Sequence, residues 1–190
     1  MKIGLLGGSF NPPHEGHYQI SLQALKRLGL HQLWWIINPQ NPLKSNQHMI
    51  SFQKRLILAR KMINHPKIKI LDLEYKNKIF YTIDTLRFLK KRYTHHSFVW
   101  LIGADNLIQI NEWKNWQQLF SMIPIIVFDR PLYSLKASAS KAASRYAKFR
   151  IPERKVKKIF NEPLPIWAYL HNPLNNISAT FIRTQNKDIL

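Results

Sequence analysis

Short, continuously apolar runs alternate along this chain with segments whose apolar positions recur at helical spacing. The first run, Lys2-Ile3-Gly4-Leu5-Leu6, predicts a strand, and a second over 33–37 stops at Asn38-Pro39. Between them Ile20, Leu22, Leu25 and Leu28 form one stripe of a helix over 16–28. A helix over 51–63 follows, with Ser51 as its N-cap and Leu56, Ala59 and Ile63 facing inward. Residues 68–73 alternate as a strand, 82–91 read as a helix, and 98–102 as another buried strand. A helix over 116–122, strands over 123–128 and 166–170, and a final helical turn opening at Ser178 complete the pattern.

Repeated βα units predict an α/β fold: a Rossmann-like, doubly wound parallel sheet of about five to six strands with helices on both faces. In such a sheet ligands meet the carboxyl ends of the strands. The 190 residues suit one domain, residues 1–190, and 45% hydrophobic content with 12% aromatics suits a packed core. No repeat or low-complexity linker interrupts it. The absence of cysteine rules out a disulfide framework and thiolate chemistry. The apolar start is too brief for a signal peptide, and no run approaches the ~18 apolar residues of a membrane span. A cytoplasmic, non-membrane protein is the expectation.

Charge adds less. Lys and Arg number 29 against 10 Asp and Glu, a net +19, but the bases are spread along the chain. The densest stretch, 136–158, contains one acid, Glu153, and reads as solvated surface. Such a field draws in anionic small molecules. A nucleic-acid-binding module is the competing class, but it requires aromatics interleaved with bases on one surface, and here the aromatics sit mostly in apolar runs.

The most informative residues directly follow the first strand: Gly7-Gly8-Ser9-Phe10-Asn11-Pro12-Pro13-His14-Glu15-Gly16-His17. Glycines at a strand exit let backbone N–H groups approach an anion, and a helix N-terminus attracts one. His14 and His17, three apart, share a face of the first helical turn. The combination predicts a phosphate site.

Gly8-Ser9-Phe10-Asn11-Pro12 with His14-Glu15-Gly16-His17 resembles the first signature of the nucleotidyltransferase superfamily. Ile177-Ser178-Ala179-Thr180-Phe181-Ile182-Arg183 resembles its second, at the other end of the chain. Three stretches narrow the resemblance to the bacterial nicotinate-nucleotide adenylyltransferase family: 38–44 ending in Lys44, Tyr81-Thr82-Ile83-Asp84-Thr85-Leu86, and Gly103-Ala104-Asp105-Asn106 leading to Trp113. Members join ATP to nicotinate mononucleotide, giving deamido-NAD and pyrophosphate. A sister enzyme acting on nicotinamide mononucleotide or phosphopantetheine is the nearer alternative.

The resemblance implies roles by matched position. His14, His17 and Arg183 stabilise charge during transfer. Gly8, Ser9, Phe10, Lys44, Ile177, Ser178 and Thr180 line the ATP phosphates, and Gly103 and Asp105 meet the adenosine side. The stretch with Thr82 and Thr85 receives the nicotinate carboxylate on backbone N–H, and Trp113 stacks on the pyridine. Core packing is the competing reading for Trp113, and Trp116 is expected in the core. Arg55 and Arg130 carry no assigned role. Mg²⁺ is expected as cofactor, held mainly by the ATP phosphates with no protein metal site. The number of subunits is left open.

The phosphate of a mononucleotide is already ionised at neutral pH, so the reaction calls for no general base. It calls for positioning and for cationic or hydrogen-bonding donors around the phosphates. Two departures from the family pattern stand out: Asn11 replaces the usual Asp, and seven residues follow Arg183 where relatives usually continue through a helix. A less firmly covered second motif is the expectation.

Overall fold

The computed structural model describes residues 1–40, 49–130 and 132–171. In chain order they form β1 (Lys2–Gly8), α1 (Glu15–Leu28), β2 (Gln32–Ile37), α2 (Phe52–Met62), β3 (Ile68–Leu71), α3 (Leu73–Lys76) and α4 (Thr82–Arg92). There follow β4 (Ser97–Gly103), α5 (Ala104–Gln109), α6 (Trp116–Met122), β5 (Ile125–Phe128), α7 (Ser134–Ser138), α8 (Lys141–Arg145), β6 (Arg150–Ile151) and β7 (Trp167–Leu170). A 3₁₀ segment, Glu153–Asn161, leads toward β7.

The strands pair in the order β3-β2-β1-β4-β5-β7-β6, every pairing parallel. The doubly wound expectation holds, with seven strands instead of five to six. The extra strand is β6, two residues inside the basic stretch and too short to leave an apolar run. The order reverses between β1 and β4, and that junction is where this topology places ligands.

Strict alternation feeds two cores. Ile3, Leu5, Trp34, Ile36, Trp100, Ile102, Ile125 and Val127 point to one face, under α4, α5 and α6. Leu6, Leu33, Trp35, Ile37, Leu101, Ile126 and Phe128 point to the other, under α1, α2 and the 3₁₀ segment. Two-sided burial explains why these strands read as continuous apolar runs.

Three local differences from the sequence reading have physical causes. Pro124 lacks an N–H to continue a ladder, so residues 123–124 lie outside the strand and β5 starts at Ile125. The buried face of α1 is Ser21, Ala24 and Leu28. Ser21 tolerates the core because its hydroxyl donates to the His17 carbonyl at 2.7 Å and accepts from Trp35 Nε1 at 2.7 Å. On α2 Ser51 does cap, accepting from the Lys54 amide, but the buried residues are Arg55 and Ala59. A guanidinium therefore takes a place expected for an aliphatic chain.

Candidate active site

Because every strand is parallel, the exits of β1, β4 and β5 open on one edge. Helices returning antiparallel to the strands present α1 and α4 N-termini to that same edge. The sequence-marked residues that are described fall there.

The loop after β1 is tightly built. Phe10 has φ +47°, a left-handed conformation rarely adopted by a bulky side chain, and is 2% exposed. Its ring stacks on Trp35 at 4.7 Å and lies 4.6 Å from the His17 ring. Gly7 is required by packing, not by an anion: a Cβ there would fall 2.7 Å from the Trp100 ring, which crosses β1. At Gly8 a Cβ would make only ordinary contact with Phe10, so among the described residues nothing fills the space around it.

His14 caps α1 in extended geometry, and its amide donates to His17 Nδ1 at 3.2 Å. An accepting Nδ1 puts the His17 proton on Nε2, which is thereby a donor. The two rings lie 3.8 Å apart. Burial lowers His14 to a pKa of about 4, with the positive Arg130 nearby adding to the effect. Without ligand, His14 is therefore neutral at pH 7. Of the two options open to a histidine here, cation or neutral hydrogen-bond donor, the fold selects the neutral donor for His14.

The cation is Arg130, which sequence reasoning left without a role. It follows β5 and donates to Asp105 Oδ2 at 2.6 Å, joining the exits of β4 and β5. The other Asp105 oxygen is buried with no hydrogen-bond partner among the described residues. Gly103 makes room for it: a Cβ at Gly103 would stand 2.4 Å from Asp105 Oδ1. Next to Arg130, Asp129 accepts from Ser134 at 2.6 Å, Tyr169 at 2.7 Å and the Arg130 amide at 2.8 Å. Burial pushes the Asp129 carboxyl up, but these hydrogen bonds outweigh it and hold the group below its ordinary value. A fixed carboxylate thus sets the backbone from which Arg130 extends. The position directly after an apolar parallel strand was the available signal for both residues.

Thr82 begins α4, where an amide has no acceptor within the helix. Thr85 differs from the expectation. Its amide donates to the Tyr81 carbonyl at 3.1 Å, and its fully buried hydroxyl donates to Glu74 Oε1 at 2.6 Å. It therefore secures the start of α4 from behind and offers no free amide. Glu74, 3% exposed, is raised by burial to a pKa of about 7, the Thr85 hydrogen bond acting weakly in the other direction. Lys114 bridges to Asp84 at 3.1 Å and lies 4.5 Å above the Tyr81 ring, which brings neighbouring Trp113 to the mouth of α4. Trp113 is half-buried, one side on the core. Trp116 packs against Phe120 and Tyr146, as expected for a core residue. Trp100 was not singled out from sequence, yet its buried indole N–H has no partner among the described residues. Lys44, Ile177, Ser178, Thr180 and Arg183, and the chain end after them, lie outside the described residues.

Comparison with known proteins gives one direction. Residues 5–185 match the cytidylyltransferase-like family. The chain is 45% identical over 183 residues to a Ruegeria protein named "Probable nicotinate-nucleotide adenylyltransferase", covering 96% of both chains. It is 40% identical over 185 residues to a protein of the same name from Methylorubrum extorquens, covering 97% of this chain and 100% of that one. Among solved structures, Plasmodium falciparum nicotinic acid mononucleotide adenylyltransferase complexed with NaAD superposes with a TM-score of 0.72. That match has 22% identity and covers 96% of this chain and 82% of the other, a likeness of fold.

Proposed function

The chain belongs to the cytidylyltransferase-like family, among its nicotinate-nucleotide adenylyltransferases, and we propose that it transfers the adenylyl group of ATP to nicotinate mononucleotide. Deamido-NAD and pyrophosphate are the products. The observation that carries this reading is the gathering, on one sheet edge, of imidazole donors at the start of α1, the Arg130–Asp105 pair between β4 and β5, and the open start of α4 beside Trp113.

The chemistry follows from those groups. The attacking phosphate oxygen is already anionic, so no proton need be removed. His17 Nε2–H and the first amides of α1 suit the phosphate oxygens, where charge develops as the α-phosphate changes partner. Arg130 supplies the fixed positive charge. A phosphate bound beside His14 would also favour its protonated form, so the imidazole can gain charge as the polyanion arrives. Asp105, one oxygen of which has no hydrogen-bond partner among the described residues, is suited to accept from ribose hydroxyls. The α4 amide at Thr82 is a donor for a carboxylate, and Trp113 a surface for an aromatic ring.

Mg²⁺ fits this reading as a companion of ATP. The described donors on this edge are mainly imidazoles, amides and a guanidinium. Its two carboxylates are already engaged, Asp105 by Arg130 and Asp129 by Ser134, Tyr169 and the Arg130 amide, so a hard cation would be held mainly by the triphosphate oxygens. It would screen the charge that the two polyanions bring together. The second motif, with Ser178, Thr180 and Arg183, and Lys44 are proposed to complete the phosphate contacts. Among the described residues no helix is long and apolar enough to cross a membrane, and the draw on ATP supports a cytoplasmic location. The deciding experiment is pyrophosphate release from Mg-ATP with nicotinate or nicotinamide mononucleotide. Preference for the nicotinamide form would overturn the specificity, and no turnover with either would overturn the activity.

A further inference from the structure

We propose that Arg55 is a positioning residue for this transfer, one that locks the loop after β1 to the end of β2 and the start of α2 and so fixes where the phosphate donors stand. The proposal rests on the adenylyltransferase reading above. Arg55 is 1% exposed, and no carboxylate pairs with it among the described residues. Its donors go to backbone carbonyls: Nη1 to Ser9 at 2.5 Å and Asn38 at 2.8 Å, Nη2 to Pro39 at 2.9 Å, and Nε to Ile50 at 2.9 Å. Asn11 reinforces the junction, its Oδ1 accepting from the Ile50 amide at 2.9 Å.

A buried cation with no counter-ion is a costly way to fill space, and an apolar side chain of similar volume would serve the core at least as well. What an apolar side chain cannot do is bind carbonyls from three separate segments in one planar fork. One of those carbonyls belongs to Ser9. The next residue, Phe10, holds its ring 4.6 Å from His17, and the rings of His17 and His14 lie 3.8 Å apart. Displacement of this loop therefore reaches both histidines, and a shift of about 1 Å in a group aligned for reaction is enough to cost roughly 100-fold in rate.

The test compares full-length Arg55→Met, Arg55→Lys and Asn11→Ala with the unaltered chain. Three quantities are read: the thermal midpoint, kcat and KM well below that midpoint, and titration of the His14 ring by NMR. In folded Arg55→Met, kcat is expected to fall about 100-fold while KM for ATP moves less than about threefold. In the same variant, His14 titration should move up from about 4 toward 6.5 as the loop loosens. Arg55→Lys should regain thermal midpoint more than kcat, because an ammonium lacks the planar fork. Asn11→Ala should lower kcat about tenfold. A folded Arg55→Met with kcat within about threefold of the unaltered chain overturns the proposal. If that variant does not fold, undiminished kcat in both Arg55→Lys and Asn11→Ala overturns it. If the unaltered chain turns over neither mononucleotide, the activity reading fails separately. The His14 titration then decides: unmoved in the variants, it overturns the role of Arg55; shifted, it supports it.

Discussion

Arg130 reaches Asp105 across 2.6 Å, so one ion pair spans the exits of β5 and β4 beside the imidazole of His14. It is the one fixed cation that the described residues place against that imidazole. Arg130→Met is expected to lower kcat by roughly 10²–10³ with the fold retained, since a charge aimed at a transferring phosphoryl group acts mainly in the transition state. Steady-state kinetics beside a circular dichroism spectrum check this. An unchanged kcat would reduce Arg130 to a tie between two strands.

His17→Ala should lower kcat by a similar factor, roughly 10²–10³, if its Nε2–H serves the developing charge. A change confined to KM would make His17 a ground-state contact instead. Phe10 and Trp35 flank the ring, so loss of the imidazole leaves a small gap and the folded protein should survive for the measurement.

Two buried groups set opposing pH dependences of stability. His14 titrates near 4 in the folded protein against 6.5 as a free group, so the unfolded chain binds its proton first as pH falls. Its contribution is complete above about 6.5 and is lost as pH drops toward 4. Glu74, raised from 4.5 to about 7, behaves oppositely: its contribution is complete below 4.5 and is lost as pH rises through 7. Between 4.5 and 6.5 the two slopes cancel. Glu74→Gln, which keeps an acceptor for Thr85, should expose the histidine arm as a rise of about 1.4 kcal/mol per pH unit in that window. Urea unfolding at intervals across it provides the reading, and a flat profile in the variant would contradict the His14 assignment.

Gly7→Ala should destabilise the protein by about 1–3 kcal/mol, the usual cost of forcing a methyl into a filled core. Among the described residues the clash is with Trp100, its ring atoms 2.7 Å from the added carbon. Trp100→Phe withdraws those atoms, so Gly7→Ala should cost less in that background. Denaturation midpoints of the four proteins give the coupling directly, and additive effects would count against the contact.

The alternation of apolar runs was enough to locate six of the seven strands, because the strands are buried on both faces of the sheet, Trp34 and Ile125 on one side and Trp35 and Ile126 on the other, and leave unbroken patterns. Two-residue β6 had no such pattern to leave. At the site, His14, His17 and Asp105 could be picked out as chemistry-bearing types in a strand–helix junction. Arg130 and Arg55 could not, because an arginine's task depends on its partners: a carboxylate 25 positions away for Arg130, and carbonyls as far as 46 positions away for Arg55. Neutrality of His14 was illegible for the same reason. It depends on burial beside Arg130, and neither a motif nor a helical face encodes it.

The pairing of β1 with β4 has a consequence for how the chain is made. Residues 2–6 meet partners at 97–101, so the first strand must wait for more than half of the polypeptide before its second neighbour exists. Until then the edge of β1 that β4 will cover is an open, hydrogen-bonding margin of the kind that invites wrong partners. A nascent chain or truncated fragment ending before β4 would hold the complete first motif and both histidines, yet have no cleft for them to face. The motif is written early, but its function arrives late in synthesis.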